Sequence, residues 1–359
     1  MTDQTGDGTS DLVVVGTPYV YYGGSGASLY RGGATLSGVV DTSEAVVTID
    51  SDDTYGYGVA SSAANLDFNG DGIAELVRGS PYSTGGSMYY TGTVLVWDVD
   101  GAAGELTSDD ALATLSGTDS AGYLGWSVGG GDTDGDGYDD LSIGAPGLNS
   151  AASTGGGVYL VSGSQVRGTA DAEDLASTVI YGSNAGDRIG STSPIVADFD
   201  GSGGLDLAIS GSGADAVYVF SGAGSLAAEL ETTDADTTIT GSNTFGFSLF
   251  ATDVNGDGET DLAVGSPAIN PTYSSSYAWY YTKGVAQGSV WFYDRTVLSA
   301  GGSHASTEAF RGLTGVGSDD LFGACLGAGD FDADGVDDVV VSAPQTGTAA
   351  GTAYVVLGN

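Results

Sequence analysis

The chain has almost no positive charge. Its 359 residues contain seven Lys+Arg against 47 Asp+Glu, a formal net charge of −40, and Lys283 is the single lysine. Such a surface repels phosphate, which argues against nucleic acid and anionic membrane as partners. It suits a salty or extracellular medium, with the interior of a halophile as the alternative. Cysteine occurs once, at Cys325, so an intrachain disulfide framework is excluded and any staple must come from metal. Cys325 lies on an inner-strand pattern and reads as a small core residue. Histidine also occurs once, at His304 in a Gly-Ser-rich stretch. No convincing nucleophile–base pair accompanies it, and it reads as a solvated loop residue. No apolar run approaches the ~20 residues of a membrane span, and no apolar leader follows Met1. The abrupt opening in an acidic segment suggests a fragment, or a chain whose export signal lies elsewhere. A helical hydrophobic period is absent throughout. With 63 glycines in no collagen-like period and 41% hydrophobic residues, the composition supports a packed core. The length allows one large repeat domain or two ordinary ones.

What the chain does have is a nine-residue acidic loop, repeated six times: Asp3–Asp11, Asp67–Glu75, Asp132–Asp140, Asp198–Asp206, Asp253–Asp261 and Asp330–Asp338. A hard dication takes six to eight oxygens, and a short loop supplies them from alternate positions. Positions 1, 3 and 5 are all side-chain oxygen donors: Asp3, Thr5 and Asp7; Asp67, Asn69 and Asp71; Asp132, Asp134 and Asp136; Asp198, Asp200 and Ser202; Asp253, Asn255 and Asp257; Asp330, Asp332 and Asp334. Position 7 varies freely (Thr9, Ile73, Tyr138, Gly204, Glu259, Val336), as it can if only its carbonyl coordinates. Position 9 is always acidic (Asp11, Glu75, Asp140, Asp206, Asp261, Asp338), suited to close the shell, in bidentate fashion where geometry allows. Position 6 is always glycine, as a tight turn around an ion favours. Position 12 holds Val14, Arg78, Ile143, Ile209, Val264 or Val341 instead of the glutamate of an EF-hand. These loops therefore read as calcium sites between strands, up to six Ca2+ in all. Ordinary Asp-Gly turn chemistry is the alternative for a single copy; donors in register through every copy argue against it. Neutral hydroxyls at Thr5 and Ser202 predict that the first and fourth sites are weakest. The third and sixth, richest in carboxylates, should be tightest.

Successive loops lie about 65 residues apart, a period that suits four strands and their turns. Ahead of most loops stands a Phe-Gly-like pair: Tyr55-Gly56, Leu124-Gly125, Ile189-Gly190, Phe245-Gly246 and Phe322-Gly323. After them comes an apolar run that stops in a Gly-Ala-Pro-like triplet ending at Pro81, Pro146, Pro267 or Pro344. The first copy ends at Pro18, and the fourth reads Ser210-Gly211-Ser212 without proline. A third strand follows (Val94–Trp97, Val158–Val161, Val217–Phe220, Val290–Tyr293, Tyr354–Leu357), then a more polar fourth (Ala111–Leu115, Thr237–Thr240) whose polarity suits an outer edge. Such units without intervening helices predict an all-β fold, a β-propeller of four-stranded antiparallel blades. The three linked motifs resemble the FG-GAP repeats of integrin α-subunit heads and of many bacterial surface proteins, over essentially the whole chain. That resemblance implies a single propeller domain over residues 1–359, with calcium loops on its lower face and ligand-binding loops on its upper one. The chain departs from the pattern by beginning after the first strand of its first repeat and stopping after the third strand of its sixth. Six blades, or part of a seven-bladed ring, both remain open.

The connections between second and third strands collect aromatics. One holds Tyr19, Tyr21 and Tyr22; the next holds Tyr82, Tyr89 and Tyr90; a long insertion, Ala268–Gln287, holds Tyr273, Tyr277, Trp279, Tyr280 and Tyr281. Tyrosine and tryptophan give rigid, amphipathic contact area, so these are candidate ligand-binding residues for a protein or carbohydrate partner. Packing of the rings on one another is the plain alternative. The leading expectation is a calcium-stabilised extracellular adhesion or recognition module, with further domains of a larger protein possible. A polysaccharide-acting catalytic propeller and a structural surface or filament subunit are the alternatives. Carboxylates outside the loops (Asp52, Asp53, Asp109, Asp110, Asp319, Asp320) come as adjacent pairs, which point to opposite faces of a strand and make poor dyads.

Overall fold

The computed structural model describes residues 12–15, 27–30, 43, 45–49, 63–84, 88–149, 154–270, 282–284, 287–317, 320–344 and 351–358. The first acidic loop lies outside these residues, as do Tyr19, Tyr21, Tyr22, Tyr273, Tyr277, Trp279, Tyr280 and Tyr281. The chain divides into two compact units: Met1–Ala185 with Leu226–Leu230, and Gly186–Ser225 with Glu231–Asn359.

Both units are built of β-strands, and the described α-helices are the single turns Ala172–Leu175 and Arg295–Leu298. No helix among the described residues is long and apolar enough to cross a membrane. In the first unit, strands Ala63–Leu66, Glu75–Ser80, Thr93–Trp97 and Ala113–Ser116 form an antiparallel meander in chain order. Strands Ser127–Gly131, Asp140–Ala145, Gly157–Val161 and Ala176–Tyr181 form another. The second unit repeats the pattern with Ile195–Ala197, Asp206–Ser210, Ala216–Phe220 and Thr237–Thr240, and with Ser248–Thr252, Asp261–Ser266, Ser289–Tyr293 and Arg311–Thr314. Strands Leu326–Gly329, Asp338–Ala343 and Thr352–Val356 make a three-stranded sheet.

Three sheets carry a fifth strand beyond the expected four. In one, Glu229–Glu231 lies beside Ala176–Tyr181, and in the other two the fifth strand joins in parallel. Gly168–Asp171 pairs with Ala113–Ser116, and Gly302–Ala305 pairs with Thr237–Thr240. Each comes from the connection between third and fourth strands of the following repeat, which is long enough to reach back. The polar fourth strand is therefore covered there instead of forming the edge.

Burial explains the strand order. The strand after each loop is buried along its whole length in Glu75–Ser80, Asp140–Ala145, Asp206–Ser210 and Asp261–Ser266. Fourth strands alternate, with Ala113 and Leu115, or Thr237 and Ile239, inward. The two signature motifs prove to be one device. Gly125, Gly246 and Gly323 of the Phe-Gly pairs take left-handed φ of 79°, 86° and 91°. Their N–H groups donate to the carbonyls of Gly144, Gly265 and Ser342, at the Gly-Ala-Pro-like stops of their own repeats, at 3.0, 3.1 and 3.0 Å. A Cβ on Gly79 would overlap the Gly125 carbonyl, and one on Gly265 would overlap that of Gly323. Each stop glycine thus lets the next repeat approach closely, while Leu124, Phe245 and Phe322 are buried beside it.

Candidate functional site

The five described loops share one hydrogen-bond scheme. The position-1 carboxylate accepts from N–H groups three and five residues on: Gly70 and Gly72 donate to Asp67 at 2.6 and 2.7 Å, Gly135 and Gly137 to Asp132 at 2.8 and 3.1 Å. Gly201 and Gly203 do the same to Asp198 at 2.6 and 3.0 Å, and Gly256 and Gly258 to Asp253 at 2.7 and 2.8 Å. In the sixth loop the donors to Asp330 are Asp334 and Gly335, at 3.1 and 3.0 Å. Position 3 accepts from the N–H of position 5, as Asp134 does from Asp136 at 3.1 Å. Position 5 accepts from position 7, as Asp136 does from Tyr138 at 3.0 Å. The backbone thereby holds the donors at alternate positions together. Ligand oxygens of Asp132, Asp134 and Asp136 lie within 4.8 Å of one another, as do those of Asp198, Asp200 and Asp206, and of Asp330, Asp332 and Asp334. In the second and fifth loops the amides of Asn69 and Asn255 reach Glu75 and Asp261 at 2.6 and 3.4 Å.

Position 9 has a second duty that its acidity alone did not reveal. Glu75, Asp140, Asp206, Asp261 and Asp338 are at most 2% exposed. Each accepts from the position-2 N–H: Phe68, Thr133, Phe199, Val254 and Phe331 at 2.7, 3.1, 2.9, 3.2 and 2.8 Å. The other oxygen of Asp140, Asp206 and Asp338 accepts from Gly163, Gly222 and Gly358 beyond the third strand, each at 2.9 Å. Position 9 is therefore a scaffold for the loop as well as a candidate ligand. Burial pushes Asp261 up to about 7, against the Val254 hydrogen bond, with Asp257 and Asp253 adding repulsion. Asp134 and Asp332 are also raised, first by desolvation and then by neighbouring loop carboxylates. A dication would relieve that repulsion. The donor set is oxygen throughout, without nitrogen or sulfur ligands, and so fits a hard cation such as calcium.

The aromatic residues behave differently from the loops. Of the predicted ligand-binding rings, Tyr82, Tyr89 and Tyr90 are described, and the structure adds Tyr123 and Trp126. Tyr82 meets Tyr90, Tyr123 and Trp126 edge-on, with centroids 5.8, 5.7 and 5.9 Å apart. Tyr90 stacks on Tyr123 at 5.9 Å, and Tyr89 leans on Tyr90 at 6.4 Å and stays 71% exposed. Ala121 and Tyr123 donate to the carbonyls of Tyr89 and Tyr90 at 2.8 and 3.0 Å, which ties the two segments together. Tyr90 and Tyr123 hold left-handed φ of 55° and 56°, uncommon for aromatic residues. Tyr123 and Trp126 flank the Leu124-Gly125 pair of the following repeat, and that flanking position is the signal that could have found them. Within this repeat the acidic loop and the rings lie at opposite ends of strand Glu75–Ser80.

Two sequence expectations are corrected. Cys325 is exposed, because it precedes strand Leu326–Gly329 in the turn that carries the Phe-Gly pair. His304 lies in strand Gly302–Ala305 and not in a solvated loop. Its ring meets the Glu308 carboxylate at 2.9 Å and the Gly301 carbonyl at 3.1 Å.

The chain matches the FG-GAP repeat over residues 59–97, 124–161, 245–293 and 322–356, and the FG-GAP-like repeat over 176–264. It belongs to the FG-GAP repeat family. It is 35% identical over 159 residues to the phosphatidylinositol-glycan-specific phospholipase D of Bos taurus, covering 40% of this chain and 18% of that protein. It is 36% identical over 120 residues to integrin alpha-4 of Xenopus laevis, covering 32% of this chain and 10% of that one. Human integrin alpha-IIb is 38% identical over 117 residues, with 32% and 10% covered. The chain thus spans 18% or less of these relatives' length. Among solved structures, the V. cholerae biofilm matrix protein Bap1 aligns over 84% of this chain and 39% of its own, at 16% identity and a TM-score of 0.39, too slight a likeness to bear on the fold.

Proposed function

We propose that the chain is a calcium-stabilised extracellular recognition module, a single FG-GAP propeller that binds a protein or glycan through aromatic loops on the face away from its calcium loops. The observation that carries this reading is the cluster of Tyr82, Tyr89, Tyr90, Tyr123 and Trp126. Backbone bonds hold its segments together, while Tyr89 presents most of its ring to solvent. A ring that served packing alone would gain more from burial, since the hydrophobic term scales with area removed from water. Sugar faces and protein side chains both stack on such rings. Similarity to integrin α subunits supports an adhesion role. The bovine relative is by name specific for phosphatidylinositol-glycan, which makes such a glycan one ligand class to test. Tyr19, Tyr21, Tyr22, Tyr273, Tyr277, Trp279, Tyr280 and Tyr281 are proposed as further members of the same face.

Glycan arrays and a panel of matrix proteins, probed in excess calcium, test this reading. Tyr89→Ala and Trp126→Ala should each weaken the captured ligand by about tenfold or more. Unchanged binding of every captured ligand in both variants, and in Trp279→Ala, would overturn it.

A further inference from the structure

We propose that calcium fills the acidic loops in coupled pairs, the second with the third and the fifth with the sixth, through Asp139 and Asp337. The inference rests on the reading of these loops as calcium sites. Its basis is position 8, which no ligand scheme uses. In the third loop the Asp139 carboxylate accepts from the N–H of Asp67 at 2.8 Å, and the Asp139 N–H donates to the Asp67 carbonyl at 2.8 Å. The first ligand residue of the second loop is thus gripped through both backbone groups by a residue of the third. Tyr138, one position earlier, covers the same neighbour: a Cβ on Gly70 would lie 3.1 Å from its ring.

The other unit repeats the arrangement at the same loop positions. Asp337 donates its N–H to the Asp253 carbonyl at 3.3 Å and accepts the Thr252 hydroxyl at 2.7 Å. Val336 packs over Gly256, 2.8 Å from where its Cβ would be. Aspartate occurs at position 8 only in these two loops; the others carry Ser10, Ala74, Leu205 and Thr260.

The physical link is order. A cation held by the position-7 carbonyl and position-9 carboxylate of the third loop fixes both neighbours of Asp139, and through it the backbone of Asp67. The second loop then loses less conformational freedom when it closes on its own ion. Coupling of this kind is reciprocal: each ion raises the affinity for the other by the same factor, commonly fivefold or more. Asp139 and Asp337 act here as positioning residues, outside the ligand shell.

Hydrogen exchange along a calcium titration of the full chain reads the loops separately. In the unaltered chain, protection of segments 67–75 and 132–140 should rise together. Asp132→Asn with Asp136→Asn, which removes ligands of the third loop only, should shift the calcium midpoint of 67–75 upward about tenfold. Segment 198–206 serves as the internal reference. Asp139→Ala should give the same shift with every ligand intact, and Asp139→Asn, which keeps an acceptor for the Asp67 N–H, should reverse most of it. Asp337→Ala, read at 253–261, repeats the test in the other unit should Asp139→Ala fold poorly. A midpoint of 67–75 that stays put without the third loop's ligands overturns the coupling and leaves the calcium reading intact. Absence of calcium-dependent protection in every loop overturns both.

Discussion

Position 6 of each described loop is a glycine at φ 84° to 90°, and a Cβ there would meet nothing within 4 Å. Glycine is required by the backbone angle alone, because an L side chain in that region costs roughly 1–2 kcal/mol. Position 4 takes a similar left-handed angle in four loops, with Gly70, Gly135, Gly201 and Gly256 at 72° to 76°, although a Cβ at Gly70, Gly201 or Gly256 would also crowd Tyr138, Arg295 or Val336; the sixth places Ala333 there at 61°. Ala333→Gly should therefore stabilise the protein, by at most about 1 kcal/mol once the added freedom of the unfolded chain is subtracted. A rise in the denaturation midpoint at unchanged slope checks it. A different residue-scale effect belongs to His304. Its hydrogen bond to Glu308 holds the imidazole above its ordinary value of 6.5. Glu308 sits below 4.5, chiefly through the Ala305 N–H and then through His304. A raised histidine contributes fully below 6.5 and loses its contribution as pH rises through the folded value. A lowered glutamate contributes above 4.5 and loses it as pH falls. The pair therefore helps most between those values. The melting-temperature difference between the unaltered chain and His304→Gln should be largest near pH 5.5 and shrink toward pH 8; a flat difference would contradict the pairing.

Among the strand elements, the motif residues act as joints between repeats. Gly125 combines φ 79° with contacts in which a Cβ would lie 2.9 Å from the Thr93 carbonyl and 3.0 Å from Gly79 Cα. Gly125→Ala should cost more than about 2 kcal/mol, the sum of the angle penalty and overpacking, read from chemical denaturation. The loops also separate two kinds of carboxylate. Asp332 touches the strands little, so Asp332→Asn should lower the melting temperature in calcium and have almost no effect in excess chelator. Asp206 accepts from Phe199, Asp200 and Gly222 at 2.9, 3.2 and 2.9 Å. Asp206→Ala should remain destabilising with chelator present, by about 1–3 kcal/mol for the buried donors left unpaired. Equal behaviour of the two variants in chelator would show that position 9 is a ligand only. The sequence pattern announced both glycine and carboxylate, since each recurs in register. It did not announce the double role of position 9, because the partners Gly163, Gly222 and Gly358 lie a strand pair away.

At the scale of the molecule, the proposed calcium sites would tie stability to charge. A net −40 repels itself in the compact state, and loop carboxylates concentrate that repulsion. A calcium ion held in such a loop at 100 times its dissociation constant would add roughly 2.7 kcal/mol. Chelator should lower the melting temperature steeply, and added monovalent salt should recover part of the loss by screening. An unchanged melt in chelator would remove calcium from the account.

The sequence by itself determined the repeat, the position of the five described acidic loops, the glycines that turn them and the strands that end at Pro81, Pro146, Pro267 and Pro344. These are local matters: backbone angles, side-chain oxygens two residues apart and apolar runs of fixed length are written in adjacent residues. Only the tertiary structure decided that Tyr123 and Trp126 join Tyr82 and Tyr90, that Gly168–Asp171 covers Ala113–Ser116, that Cys325 faces solvent, and that Asp139 grips Asp67. Those contacts join residues tens of positions apart, and they depend on which strand edges meet when the apolar faces are buried, a choice that no short stretch of the chain encodes.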